Sequence, residues 1–522
     1  MTRNQHRLFG SPLAKLALAL LIVSSIFQGL SILTIRLGPH FEVGIGPYWV
    51  VAAFLVLAAV PALAKRRDRA APPLPGPLRW AAFSLGVFAL YGVASAFSLP
   101  FVFRGAAVLD PRLGIASQFM EPSSLSWSLS NAGQAGYMLI NCAVFWLLIL
   151  GVRTHEDLRM IYRFILAAGW LVLGFAVFQR LSTAYFPNGV YPALYGITHN
   201  NPAASSYPVL DPRTTAFFLE PSFLGGFAAM MLAIGLCEYL DGFPWSSLAL
   251  GLVSAYVILT SESTVGLALI PFGLILALVP WVWRGTSRRE VGRRLGMPRR
   301  IRNVLLGLFC AIVLFGGEHA AQSVLGPLQA PTPTQSESAG GMQSPVAVAA
   351  SPQPAPPPTL SSAQPAPVTP APNPTGPASG LLDLGSRPWA DRLLSVKYRL
   401  WADQFSVFNV TRATWFLGAG LGSNRPSSFL AYVLSNMGLP GLVALAAFII
   451  LVVVSWTRYM ESLGQPAMSL CAGFFTYLVA MAGGLPDPSW PPFLWIFGGL
   501  VVAGLSLAAR PAEASTPASS TQ

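Results

Sequence analysis

"DPRTTAFFLEPSFLGGFAAMMLAIGL", residues 211–236, sets an Asp, an Arg and a Glu against the start of an apolar run that ends near Leu236. The rest of the chain keeps charge out of such runs. What Arg213 and Glu220 are there to hold therefore depends on the medium around them.

Composition identifies that medium. The 522 residues are 53% hydrophobic and only 10% charged, with a mean hydropathy of +0.57, whereas soluble domains carry about 25% charged residues. The chain reads as an all-α, polytopic membrane protein. A spanning helix takes about 20 mainly apolar residues, and that window predicts about twelve helices. They centre on 13–34, 47–64, 80–100, 133–151, 160–178, 218–237, 245–260, 264–283, 302–317, 428–455, 468–484 and 492–509. The first follows a basic stretch (Arg3, His6, Arg7), but its run is too long for a signal h-region and lacks a small-x-small cleavage site, so it reads as an anchor.

Charge then orients the helices. Lys65, Arg66, Arg67, Arg69 and Arg79 lie between helices two and three, Arg153 and Arg159 between four and five. Arg284, Arg288, Arg289, Arg293, Arg294, Arg299, Arg300 and Arg302 crowd the loop between eight and nine. With twelve spans all of these face one side, which is the cytoplasm and holds both termini. The net charge of +12 is thus a topology signal, and nucleic acid is not an expected partner. Cys142, Cys237, Cys310 and Cys471 fall in apolar runs without CxxC or zinc-ligand spacing, giving no sign of disulfides or metal.

The opposite side receives the long loops 101–132, 179–217 and 318–427. Residues 1–317 form a first membrane domain with helices one to nine, and 318–385 a Pro/Ala/Ser-rich stretch with almost no charge. Too little apolar surface is available there to offset the entropy of ordering, so it reads as a tether. Residues 386–427 follow, then a second membrane domain over 428–509 and an unstructured tail over 510–522.

Leu393, Leu394, Lys397, Leu400, Trp401 and Gln404 follow three- and four-residue steps, which predicts an amphipathic helix over 389–406. Arg392, Lys397 and Arg399 make it basic, and Trp389 and Trp401 suit the headgroup level of a membrane. "FLGAGLGSN", residues 416–424, supplies a turn through Gly418, Gly420 and Gly422, followed by Arg425. No strand precedes it and no Lys-Ser/Thr follows, so it is neither a dinucleotide motif nor a P-loop.

HExxH, GxSxG and carboxylate-pair motifs of soluble enzymes do not occur. What stands out is a set of outer Arg residues: Arg213, Arg399, Arg412 and Arg425, with Arg180 and Arg112 as weaker members. Arg suits bidentate phosphate binding, so the set predicts a site for an anionic, phosphate-bearing lipid.

These residues resemble a family. "RTTAFFLEPSFLGG" is similar to the Arg...Glu-Pro-Ser...Gly signature of bacterial O-antigen and exopolysaccharide polymerases. "YRLWADQFSVF" followed by "WFLGAGLGSNRPSSFLAYVLSNMGLPG" resembles the Arg-x-Trp, Gly-x-Gly and Gly-Leu-x-Gly pattern of the O-antigen polymerase and ligase superfamily. "LTSESTVGLALIPFG", residues 259–273, resembles its Ser-rich hairpin. The likeness spans roughly residues 130–505 without the tether. It implies a GT-C-like, metal-independent glycosyltransferase of the bacterial inner membrane, without cofactor, with its active site facing the periplasm. Undecaprenyl-diphosphate-linked glycans would be donor and acceptor, and a flippase and chain-length regulator proteins would be partners besides the membrane lipids. A polymerase moves the growing chain onto another lipid-linked repeat; a ligase moves it onto lipid A core or protein.

On this resemblance Arg213 and Arg425 bind the diphosphate and stabilise the leaving group, and Arg399 assists. Many ligases carry a His after the Gly-x-Gly turn, where this chain has Asn424 and Arg425, which leans toward polymerase. Glu220 is either general base on the acceptor hydroxyl or an orienting partner for Arg213, seven residues earlier on one helical face if the helix starts early. His199, Asn200, Asn201, Ser222 and Asn424 are candidates for substrate contact, although Asn-Asn-Pro is also an ordinary turn. Tyr185, Tyr191 and Tyr195 are candidate stacking surfaces for sugars. Glu262 reads as a solvated loop residue, and Asp403 as a helical partner of Arg399. A flippase would also bind lipid-linked sugars, but it would carry charge in mid-helix and show repeated halves, and neither is evident.

Overall fold

In a bilayer every backbone polar group needs an internal partner, and the chain meets that need almost entirely with helices. The structure, a computed structural model, describes residues 8–36, 42–64, 74–109, 122–186, 189–200, 213–287, 300–310, 397, 399–484 and 491–510. Outside the described residues lie Arg112, Asn201, Trp389, Arg392, Leu393, Leu394, Asp487, the tether 318–385 and the tail after Arg510.

The elements run α1 (Pro12–Ser25), β1 (Leu33–Arg36), β2 (Glu42–Ile45), α2 (Pro47–Ala64), α3 (Gly76–Val102), β3 (Ala107–Val108) and β4 (Ser123–Ser124). Then come α4 (Leu129–Gly151), α5 (His155–Tyr185), α6 (Tyr191–Thr198), α7 (Pro221–Leu240), α8 (Trp245–Thr260) and α9 (Thr264–Ser287). The last are α10 (300–310), α11 (399–413), α12 (Phe429–Tyr459), α13 (Gln465–Gly484) and α14 (Phe493–Ala508). Helix occurs in every one of the twelve expected windows. Among the described residues six helices, α3, α4, α5, α7, α12 and α13, are long and apolar enough to cross a membrane, and α1, α2, α8, α9 and α14 are shorter apolar helices.

Two expectations change. The window 13–34 is not one helix: α1 stops at Ser25, and Leu33–Arg36 pairs antiparallel with Glu42–Ile45, Leu33 facing Ile45. Gly29 is drawn out of helical geometry because its N–H donates to Phe217 O at 2.8 Å. With the second two-residue pair, β3 and β4, the chain is mostly rather than wholly helical.

α7 is the central helix. It packs on α8, α9 and α13, and all of Leu224–Leu240 is buried. Small residues permit that crowding: a Cβ on Gly235 would stand 2.7 Å from Ser247 O and 2.8 Å from Gly251 N. Helices α3 and α12 pack against each other, and α14 packs on α4. One end of the bundle gathers the exits of α1, α3, α5 and α8 with the entries of α2, α4, α7, α9, α12 and α14. Thr214 N donates to Thr260 O, Asn131 Nδ2 to Leu421 O and Arg425 N to Leu109 O across it. The other end holds Arg153, whose Nε caps Leu150 O, Arg510 on Arg153 O, and Arg300 on Tyr239 O.

Candidate functional site

Residues 213–220 enter the bundle as irregular backbone, and Thr214 to Leu219 are all buried. Backbone of this kind survives inside a bundle only if its polar groups are met locally. Gln179 on α5 meets two of them: its Oε1 accepts from Thr215 N at 3.2 Å and Ala216 N at 2.7 Å. Ala216 takes the left-handed φ of 51° there, a conformation costly for a residue with a Cβ and stable only where its surroundings impose it. Phe217 stacks on Phe175 at 4.1 Å and leans on Phe27 at 4.6 Å. Phe218 packs on Phe227 and on Phe493 of α14.

His199 closes the clamp. Its ring stacks on Tyr195 at 4.0 Å and 8°, with Nε2 3.2 Å from Phe218 O and 3.3 Å from Thr215 Oγ1 and Nδ1 2.9 Å from Thr198 Oγ1. Burial lowers its pKa to about 4, because a charged ring loses hydration there. Asn200 pairs its amide with the backbone of Ser31, accepting from N at 2.6 Å and donating to O at 3.0 Å. Both residues therefore brace the loop, His199 buried and Asn200 exposed. Tyr191 and Tyr195 are likewise buried, the second under His199, so only Tyr185 stays exposed.

The helix starts later than the seven-residue relation between Arg213 and Glu220 needs. Glu220 is the N-cap of α7, with φ −142° and ψ 153°, and Pro221 opens the helix, its fixed φ suited to the first turn. Arg213 and Glu220 thus stand at the two ends of an irregular clamped segment and share no helical face. Ser222 Oγ donates to Glu220 Oε2 at 3.3 Å, and the carboxylate lies at the positive end of the central helix, where negative charge is favoured. Arg213 is half-buried and engaged in contacts. Arg180, beside Gln179, is 1% exposed, so this weaker member of the Arg set is the most deeply placed of its described residues. The turn between α8 and α9 borders the segment, Ser263 lying where a Cβ on Gly225 would touch it. Glu262 in that turn is half-buried with φ 49°, a strained position and not a freely solvated one.

Arg425 belongs to a second cluster at the same end. Gly418, Gly420 and Gly422 take φ of 91°, 98° and 81°, and the turn they make is held by three Asn side chains. Asn436 Oδ1 accepts from Ser423 N and Asn424 N at 3.1 and 2.9 Å, and its Nδ2 donates to Asn424 O at 2.7 Å. Asn424 accepts from Leu109 N at 2.8 Å and donates to Ser406 Oγ and Ser435 Oγ at 2.9 and 2.8 Å. Asn131 Nδ2 donates to Leu421 O and Ser423 Oγ. Asn424, expected as a substrate contact, is 1% exposed with its amide committed to this scaffold. Next to it Arg425 is anchored by its backbone while its side chain is exposed.

α11 also differs from expectation. Ala402, Ser406 and Val410 form its buried stripe, while Leu400 and Phe408 face outward at 58% and 68% exposure. Small residues face inward because α11 lies tight against the Asn424 region, and a π-turn over Phe405–Val410 brings Ser406 to it. Asp403 caps α12, its Oδ1 accepting from Ser427 N at 2.7 Å and Ser428 N at 3.0 Å, in place of the expected pairing with Arg399. Arg399 and Arg412 are exposed on the same helix.

The structure thus groups Arg213, Glu220, Ser222 and His199 around α7, and Arg399, Arg412 and Arg425 around α11 and α12. Among the described residues no three His, Cys, Asp or Glu side chains could share a metal ion. Gln179, Asn131 and Asn436 were missed in sequence because a lone amide in an apolar helix carries no motif. The signal available was that each sits within about two turns of an outer helix end. No family model and no curated protein matches the chain.

Proposed function

We propose that the chain is a bacterial inner-membrane glycosyltransferase that polymerises undecaprenyl-diphosphate-linked oligosaccharide repeats into O-antigen or exopolysaccharide. In this reading about twelve spans form a GT-C-like membrane domain, both termini are cytoplasmic, and the gathered loop end faces the periplasm. The observation that supports it most is the clamped segment 213–220: a half-buried Arg and a carboxylate are held on strained, buried backbone at the positive end of the central helix. Strain retained at a bundle end is characteristic of functional sites, and a fixed guanidinium suits a diphosphate whose charge grows as the glycosidic bond breaks. Arg425 and Arg399, exposed at the same end, would bind the second diphosphate or guide the lipid-linked donor. Glu220 would take the acceptor's hydroxyl proton or orient Arg213.

Purified protein incubated with lipid-linked repeats tests this directly. Chain growth that falls at least about a hundredfold in Arg213→Ala, the size of a lost charge-stabilising group, and is reduced in Arg425→Ala supports polymerisation. Transfer only to lipid A core or protein would make the chain a ligase, and unchanged repeats moved across a vesicle would make it a flippase. Long glycans made by both variants at the parental rate would end the assignment.

A further inference from the structure

A groove of about 600 Å³ runs between α5, α8 and α10, from Trp245 at the Arg300 end of the bundle as far as Tyr256 and Val177. Val177, Leu252, Val253, Tyr256, Leu306 and Cys310 line its length, and Trp245 and Asn303 stand at its mouth. α10 touches α8 closely at one point, where a Cβ on Gly307 would meet Leu252 Cδ1 and Cδ2 at 2.6 Å. On one side of that contact the helices part and leave an open apolar channel.

Its mouth is built differently from its walls. Arg300 reaches over the Tyr239 ring at 5.3 Å and donates to Tyr239 O, while Asn303 Nδ2 donates to Tyr239 OH at 2.9 Å. Trp245 packs on Tyr239 at 5.7 Å and is 64% exposed. Arg302 is exposed one residue before Asn303. Aromatic rings with Arg at a helix end mark the headgroup level of a membrane. From Trp245 to Tyr256 a helix rises about 16 Å, close to half of the roughly 30 Å hydrocarbon core. The groove therefore has the depth of one leaflet, with cations at its headgroup end and apolar walls along its tail.

We infer that this groove is a binding site for one anionic glycerophospholipid, with an acyl chain between α5 and α10 and the phosphate at Arg300 and Arg302. Anionic charge is selected because Arg300 and Arg302 stand at the mouth, where basic groups attract anionic headgroups. Its phosphate end is at the other end of the bundle from Arg213 and Arg425, and the proposal stands independently of the transferase reading.

Native mass spectrometry of the detergent-purified full chain, with added phosphatidylglycerol or phosphatidylcholine of equal chain length, tests it. The expected result is one retained phosphatidylglycerol with about tenfold preference over phosphatidylcholine. Arg300→Gln with Arg302→Gln should equalise the two lipids, and Cys310→Trp, which fills the channel, should remove both. A second readout needs no perturbing variant: alkylation of the exposed Cys310 thiol should slow severalfold with phosphatidylglycerol and stay unchanged with phosphatidylcholine or glycerol phosphate, with Cys310→Ala giving the background. Slowing by glycerol phosphate alone would show a phosphate site without a tail and overturn the proposal. Equal binding of both lipids to the unaltered chain, or unslowed alkylation, would also overturn it.

Discussion

The segment 213–220 and the turn 416–424 solve one problem in opposite ways. Both are irregular backbone at the same end of a helix bundle, where unmet N–H and C=O groups are costly. The turn 416–424 puts glycine at three of its four left-handed positions, Phe416 with φ 62° being the fourth, and shares its hydrogen bonds among Asn131, Asn424 and Asn436. The segment 213–220 has no glycine, forces Ala216 to a φ of 51°, and hangs two N–H groups on the single amide of Gln179. The first arrangement is a redundant joint and the second a loaded clamp. The charged pair Arg213 and Glu220 sits on the clamp.

The joint fails most severely where its glycines are filled. At Gly438, inside α12, φ is 62° and ψ −163°, a region essentially closed to residues with a Cβ, and an added Cβ would land on Phe416 O and the Leu417 carbonyl carbon. Gly438→Ala is expected to cost at least about 3 kcal/mol from strain and overlap together. Thermal unfolding in detergent should show a large drop or no folded protein. An unchanged midpoint would mean that the kink is free to relax and the joint is not rigid.

Single-amide substitutions compare the two regions directly. Gln179→Leu leaves Thr215 N and Ala216 N buried without an acceptor, a loss of roughly 3 kcal/mol. Asn436→Leu also strands Asn424 N and takes a donor from Asn424 O, but it is expected to cost less, roughly 2 kcal/mol, because Ser423 N keeps Gly420 O at 3.1 Å and one N–H rather than two is left without an acceptor. Denaturation of the two variants side by side decides it. A larger loss at Asn436 would reverse the contrast between clamp and joint.

The sequence displayed the charges of the clamp but not its form. Apolar windows of about 20 residues placed helix in all twelve positions, since hydrophobic length is a local property. Gln28 and Gly29 inside the first window are equally local, yet what ends α1 there is Phe217 O, far along the chain. The left-handed turn at Ala216 is legible only once Gln179 is beside it, 37 positions away in sequence. Asn424 looked like a ligand contact because it stands between a glycine turn and an Arg. Its burial against Leu109, Ser406 and Ser435 depends on three distant elements.

A pH series probes the clamp alone. His199 has a folded pKa of about 4 against an unfolded value of about 6.5, so the unfolded chain takes the proton first as pH falls. Its stabilisation is full above about pH 6.5, declines as the pH drops from there to about 4, and is lost below, up to about 3 kcal/mol in total. Replacing it by Phe in His199→Phe keeps the stack on Tyr195 and should flatten this part of the stability curve. A slope that persists in His199→Phe would assign the titration to another group.

The smallest effect is expected at the rim of the joint. Asp403 reaches from α11 to the backbone N–H groups of Ser427 and Ser428, the N-cap of α12 and the residue before it, so its carboxylate braces the start of α12 from another helix. A carboxylate at a helix N-terminus gains both from the hydrogen bonds and from the aligned peptide dipoles. Asp403→Asn keeps an oxygen acceptor and loses the charge, so it should cost about 0.5 kcal/mol. Asp403→Ala loses both and should cost about 1 kcal/mol. Because Asn131, Asn424 and Asn436 hold the turn without Asp403, neither change should move Arg425. Glycan synthesis in Asp403→Asn should therefore match the parent, while a large loss of synthesis with unaltered stability would place Asp403 in contact with substrate and move it out of the scaffold.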